Sequence, residues 1–121
     1  MKISTYNHIM NKEILESEAT ILSALAHPLR LRVLEQLREG PCCVCKLIPY
    51  VGGEQSNVSH HLAILRKANI VQYEKRGTEV WYTVTDPIVF EIIDLTKSCI
   101  LSSLEKSKVL LEALKKNSDE R

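Results

Sequence analysis

The sequence has no long apolar run. Its uninterrupted hydrophobic stretches are a few residues each, whereas a helix crossing a bilayer needs roughly twenty. No basic segment followed by an apolar stretch and a small-residue cleavage site opens it, so export is not expected and a cytoplasmic location is. Glycine is scarce, four in all, and no Gly-rich loop of the phosphate-cradling kind can be read. Charge of one sign is not in excess, the net value being +1. Internal repeats and low-complexity tracts are absent. So are a pair of carboxylates set for acid–base work, a Ser-His-Asp arrangement and a βαβ unit around a Cys-x-x-Cys. An enzyme is therefore not expected.

What remains is ordinary globular material. A chain of 121 residues, 45% hydrophobic and 26% charged, is long enough for one core and too short for two comfortable ones. Its charge is uneven. Residues 26–76 hold eight bases (Arg30, Arg32, Arg38, Lys46, Arg66, Lys67, Lys75, Arg76) against four acids, and both flanks carry a slight acidic excess. A basic middle points to one face meeting a polyanion.

Hydrophobic periodicity orders the elements. Ile14, Ala19, Ile21, Leu22 and Leu25 predict a helix over about 7–26, which Ala26-His27-Pro28 breaks. Pro28 suits the first turn of a second helix ending near Gly40 and Pro41. Val44, Leu47, Ile48 and Val51 predict a third helix over Cys42 to Val51. After Gly52-Gly53 a fourth runs from Gln55 or Ser56 to about Ala68. The period then becomes two. Ile70, Val71 and Tyr73, a Lys75-Arg76-Gly77-Thr78 turn, and Val80, Tyr82 and Val84 predict a hairpin, with Trp81 and Tyr82 as strand packing.

Asp86 and Pro87 open a final helix to about Lys116, roughly 45 Å long. It bears two apolar stripes, Ile88-Ile92-Leu95-Cys99 and Val89-Ile93-Ile100-Leu104-Leu111-Leu114. One stripe can pack on the domain, and the other needs a partner, most simply the same helix of a second copy. The expected fold is mostly α with a β-hairpin wing: a homodimeric winged helix-turn-helix, α1-α2-α3-α4-β-β-α5. It forms a single domain over 1–121, with a core at 20–86 and dimerisation helices at about 7–26 and 87–116.

The fourth helix carries the chemistry. In GGEQSNVSHHLAILRKA the polar Gln55, Ser56, Asn57, Ser59, His60 and His61 crowd the first turns, and Val58, Leu62 and Leu65 face away. A helix entering the major groove by its N-terminus needs short donors and acceptors there, with backbone amides to help hold a phosphate. Arg66 and Lys67 behind them, with Lys75 and Arg76 of the wing, add candidate phosphate contacts. The duller reading is a capped helix with a solvated start, and a module that joins proteins rather than reading DNA is the alternative function.

Residues 20–86 resemble the ArsR/SmtB family of small, homodimeric winged-helix repressors that sense metals, metalloids or redox state. The carrying segments are ALAHPLRLRVLEQL, QSNVSHHLAILRKANIV and YEKRGTEVWYTV. The resemblance implies that Gln55, Ser56, Ser59 and His60 contact an operator, while His61 falls at a more variable position. It implies as partner a double-stranded DNA with an inverted repeat, and dimerisation through the first and last helices.

CCVCKL resembles the Cys-Val-Cys-Asp-Leu signature of the family's arsenite- and antimonite-responsive members and of some cadmium- or lead-responsive ones. Cys43 and Cys45 match it, Lys46 replaces its acid, Ile48 stands where some relatives have a third cysteine, and Cys42 is extra. Thiolates select soft ions, so As(III), Sb(III) or a soft divalent metal is the implied inducer, with Cys42, Cys43 and Cys45 as candidate ligands. On a regular helix Cys42 and Cys45 would share a face and Cys43 and Cys45 would diverge. Either the first pair is primary or ligation by the second unwinds the helix start. Reversible oxidation and inert burial are the competing readings. The last-helix site of zinc-responsive members, counted from Asp86, would fall on Ile88, Cys99 and Ser102, which rules it out. Cys99 then reads as core or interface, and His8 and His27 as surface or capping groups.

Overall fold

A computed structural model describes the backbone of residues 3–119 and the side chains of residues 11–119, so His8 lies outside the described side chains. The elements are α1 (Ile3–Leu25), α2 (Pro28–Leu37), β1 (Cys42–Cys43), α3 (Val44–Val51), α4 (Gln55–Lys67), β2 (Val71–Arg76), β3 (Glu79–Val84) and α5 (Ile88–Asp119). Two compact units divide the chain, residues 1–86 and 87–121.

In the first unit the expected helix order holds, with local chemistry at each boundary. His27 is the N-cap of α2, its Nδ1 accepting from the Leu29 amide at 3.0 Å, and Pro28 follows in the first turn. This is the capping role expected of His27. Gly52 closes α3 at φ +69°, a left-handed conformation that favours glycine, and its amide donates to the Pro49 carbonyl. Gly77, at φ +65°, turns the hairpin.

The core is built from the inward faces of these helices. Val33, Leu34, Leu47, Val58, Leu62, Leu65 and Val71 are essentially sealed from solvent. α2 packs on α3, α4 and β3, and α4 packs also on α1 and β2. The recognition-helix residues expected to face away from DNA (Val58, Leu62, Leu65) are therefore the ones that clamp α4 to the rest.

The start of α3 departs from expectation. Cys42 and Cys43 are not helical; they form a short strand, and the helix begins at Val44. The wing is a three-stranded antiparallel sheet of order β1-β3-β2. Cys42 pairs with Tyr82 and Cys43 with Trp81, while β2 and β3 run in register from Val71↔Val84 to Arg76↔Glu79. Main-chain hydrogen bonds to β3 hold the Cys-Cys segment extended, a long-range effect that helical spacing at Val44, Leu47 and Val51 cannot report.

The second unit is the 32-residue helix α5, three residues longer than expected at its C-terminal end. Val89 and Ile93, from one expected stripe, are its buried residues. Leu95, Ile100, Leu104, Leu111 and Leu114 are each more than half exposed. On α1, Ile14, Leu15 and Leu22 are also exposed. Apolar faces of this extent are uncommon on a monomer and mark an interaction surface. No helix among the described residues is long and apolar enough to cross a membrane.

Candidate nucleic-acid interface and thiol site

The polar side of α4 is open. Gln55, Ser56, Asn57, Ser59 and His60 are all exposed in its first two turns. Its N-cap, Glu54, makes no side-chain capping bond, so the amides of the first turn are not closed off from that direction. Lys75 and Arg76 are exposed at the end of β2, beside the hairpin turn. Arg76 donates from Nε to Glu74 at 2.6 Å and its guanidinium lies 4.5 Å from the Trp81 ring centroid. Trp81 thus packs in the wing, as expected. Arg66 is exposed as well, with its guanidinium 5.1 Å from the Tyr73 ring centroid. Burial raises the Tyr82 phenol above its ordinary value, and the neighbouring Arg66 opposes that rise.

His61 is a correction. It was expected beside His60 among the DNA-facing groups, and it points into the fold at 7% exposure. Its Nδ1 lies 3.0 Å from Nη1 of Arg30, which is also buried and whose Nη2 donates to the Ser23 carbonyl at 3.3 Å. The His27 ring sits 4.2 Å away, centroid to centroid. Adjacent helical residues lie about 100° apart, so His60 can face solvent while His61 joins α4 to α1 and α2. Because an arginine nitrogen can only donate, His61 Nδ1 is the acceptor and its neutral form is required.

That requirement has a pH consequence. Burial first, then His27, Arg30 and His60, lower the His61 pKa below its ordinary 6.5. The folded state therefore binds fewer protons than the unfolded chain just below pH 6.5. The stabilisation is complete above that value and is lost as pH falls from it through the lower folded-state pKa. Urea midpoints at pH 7.5 and 5.5 are expected to drop on acidification, and to drop less in His61→Gln, which keeps an acceptor but cannot titrate. Equal drops in the two proteins would assign the effect elsewhere.

The cysteines separate into two environments. Cys43 and Cys45 are joined as a disulfide, with their Cα atoms 5.1 Å apart. Cys43 is the N-cap of α3, its sulfur accepting from the Cys45 amide at 3.2 Å. Glu79 Oε2 lies 3.3 Å from the Cys43 sulfur and 3.5 Å from that of Cys45. As thiols, either could donate to this carboxylate; as a disulfide neither can. Cys42 is not gathered with them. It is buried, its sulfur pointing to the Cys43 carbonyl at 3.6 Å, because successive strand residues face opposite sides. The alternative in which Cys42 and Cys45 share a helical face lapses with the helix itself. Cys99 is exposed on α5.

Among the described residues, Cys43, Cys45 and Glu79 are the group whose ligand atoms, all within 4.8 Å, could hold a metal ion. Two soft sulfurs and one carboxylate suit a thiophilic divalent ion. A groove of about 520 Å³ contains this group and is also lined by Gln55, Ser59 and Tyr82. Glu79 carries no local signal in the sequence: it is more than thirty residues from both thiols, and only the β1–β3 pairing brings it close.

Five helices, a three-stranded wing and an exposed polar second helix of the helix-turn-helix define a winged helix-turn-helix protein. Residues 27–73 match the model of the bacterial regulatory proteins of the arsR family. An HTH-type transcriptional regulator of Methanocaldococcus jannaschii, MJ1325, is 46% identical over 81 residues, covering 66% of this chain and 91% of that protein. The HTH-type transcriptional repressor SmtB of Mycobacterium tuberculosis is 39% identical over 82 residues, or 68% of this chain; the alignment spans 61% of that longer relative. The crystal structure of M. tuberculosis Rv0081 superposes with a TM-score of 0.70 at 31% identity, covering 77% of this chain and 94% of that one. The chain belongs to the arsR family, whose members are DNA-binding regulators of transcription and not enzymes.

Proposed function

We propose that the protein is a homodimeric repressor that binds an inverted-repeat operator and leaves it when the Cys43–Cys45 site is occupied by a soft ion. The observation that carries the DNA half is the division of α4. Gln55, Ser56, Asn57, Ser59 and His60 are exposed, and Val58, Leu62 and Leu65 are buried beneath them. In this reading those polar groups meet base edges and phosphate, and Arg66, Lys75 and Arg76 contact the backbone. The exposed apolar faces of α1 and α5 support pairing with a second copy, and a two-fold dimer requires half-sites about one DNA turn apart. The relative named SmtB is a repressor, which supports that sign of control.

Cys43 and Cys45 would hold the ion, their thiolates coordinating it at the start of α3. As(III), Sb(III) and soft divalent metals are the chemical candidates. The contact between the two sulfurs favours one second reading, control by oxidation. There, hydrogen peroxide takes two electrons and two protons from the thiols, forming the S–S bond and leaving as two waters. The loss of both S–H donors removes the hydrogen bonds that the thiols could give Glu79.

Fluorescence anisotropy on the reduced protein is expected to show a preference for an inverted repeat over random duplex, with affinity falling steeply as salt rises. Gln55→Ala combined with His60→Ala should weaken specific binding by about 10- to 100-fold, at about 1–3 kcal/mol for a good base contact. Arsenite, cadmium or peroxide should release the wild type but not the Cys43→Ser, Cys45→Ser double variant. A protein that binds both duplexes alike is not an operator-reading repressor. One whose affinity ignores all three effectors is not a thiol sensor.

A further inference from the structure

We infer that Glu79 is the third ligand of a divalent-cation site made with Cys43 and Cys45, and that this site works from inside the DNA-facing groove. The inference rests on the thiol-sensing reading above and specifies its ligand class and its means of control. Three observations carry it. First, one carboxylate oxygen lies 3.3 and 3.5 Å from the two sulfurs, the spacing of neighbouring ligands around one ion with bonds of about 2.0–2.3 Å, so that once the disulfide is reduced the sulfurs have only to part to admit it. Second, no third sulfur joins this group among the described residues. Cys42 is buried on the opposite side of β1, and Ile48 stands on α3 where a further thiol would be needed. A trivalent metalloid bound by three thiolates is thereby left one sulfur short, whereas two thiolates and a carboxylate satisfy three positions of a tetrahedral divalent ion. The fourth stays open to water. Third, the same groove is lined by Gln55 and Ser59 from α4, the side chains assigned to the operator.

The charges identify how such an ion would act. Two neutral thiols and the Glu79 carboxylate carry −1. Binding releases two thiol protons and adds +2, so the site carries −1 again. Repulsion of phosphate by a changed charge is therefore not the switch. Position is: Glu79 opens β3 directly across from Arg76, so drawing its carboxylate onto the sulfurs ties the turn end of the wing to the start of α3. Arg76, Lys75 and the hairpin turn are then held relative to Gln55 and Ser59.

The test uses the full chain, reduced, with Cd²⁺ as the probe. Thiolate-to-cadmium charge-transfer absorption is titrated against a competing chelator. X-ray absorption then counts the sulfurs around the metal. Glu79→Gln, at an exposed position, is expected to lower cadmium affinity tenfold or more, since even groups that only orient a metal's ligands typically cost about 10- to 100-fold when mutated. It should also leave operator binding without cadmium unchanged and reduce cadmium-driven release. Cys42→Ser should bind cadmium as the wild type does, and the absorption spectrum should show two sulfurs. Cadmium affinity within twofold of wild type in Glu79→Gln, or three sulfurs at the metal, overturns the proposal. The Cys43→Ser, Cys45→Ser variant separates the levels. If it loses cadmium while Glu79→Gln keeps it, only the Glu79 assignment fails. If it binds cadmium as tightly as wild type, the thiol-sensor reading falls too.

Discussion

Replacing Leu104 and Leu111 together by glutamate is expected to make the protein monomeric and to lower its affinity for a two-half-site operator by about 10²- to 10⁴-fold. The two leucines are 62% and 52% exposed on α5 and lie two helical turns apart on one stripe. As a free surface this stripe would leave large apolar side chains in water along much of a 32-residue helix. Covering them contributes about 25 cal/mol for each Å² of apolar area removed from solvent. Two carboxylates inside such a contact would be buried without partners, a cost large enough to undo it. The affinity estimate follows from linkage. Once one half of a dimer is bound, the other meets its half-site at high effective concentration, a gain of about 10²–10⁴ that a monomer forfeits. Sedimentation equilibrium and anisotropy on whole and half operators check both parts. A monomeric variant with undiminished affinity for the whole site would show that dimerisation is not how the protein reads DNA.

Leu62→Ala is expected to destabilise the fold by about 2–5 kcal/mol, out of a total that is commonly about 5–15 kcal/mol. Leu62 is 1% exposed and sits on α4 between the exposed Ser59 and the buried Leu65. Its loss removes both transfer energy and packing, because the backbone of α4 is held on the same side by Val58 and Leu65 and cannot collapse fully into the gap. Urea unfolding should show a lower midpoint with an unchanged slope. Lys67→Ala, at an exposed position of the same helix, should stay within about 0.5 kcal/mol of wild type. Since the polar face of α4 is displayed only while its apolar face is held, Leu62→Ala should also weaken operator binding near its melting temperature without touching a DNA-facing group.

Much of this is legible in the sequence itself. Pro28, Gly52 and Gly77 mark boundaries through backbone restrictions that act within a residue or two, and the apolar spacing in α2 and α4 repeats often enough to identify a face. The Cys42–Cys43 strand left no such trace. Two residues cannot display a period, and their conformation is set by Trp81 and Tyr82 nearly forty positions away. His61 did leave one: it lies three residues after Val58 and four before Leu65, on the face that helical spacing turns inward, whereas His60 does not. Its partners Arg30 and His27 are what only the fold supplies.

Local chemistry thus determined the helices, the wing, the polar segment that faces outward and the presence of reactive thiols, since each depends on forces between residues close in the chain. Tertiary structure alone decided which thiols stand together, that Glu79 joins them, and that their groove is shared with Gln55 and Ser59. Strand pairing turns Cys42 away from its neighbours and brings Glu79 to them, and helix packing sets Gln55 and Ser59 along the same groove, relations that no spacing in the sequence carries.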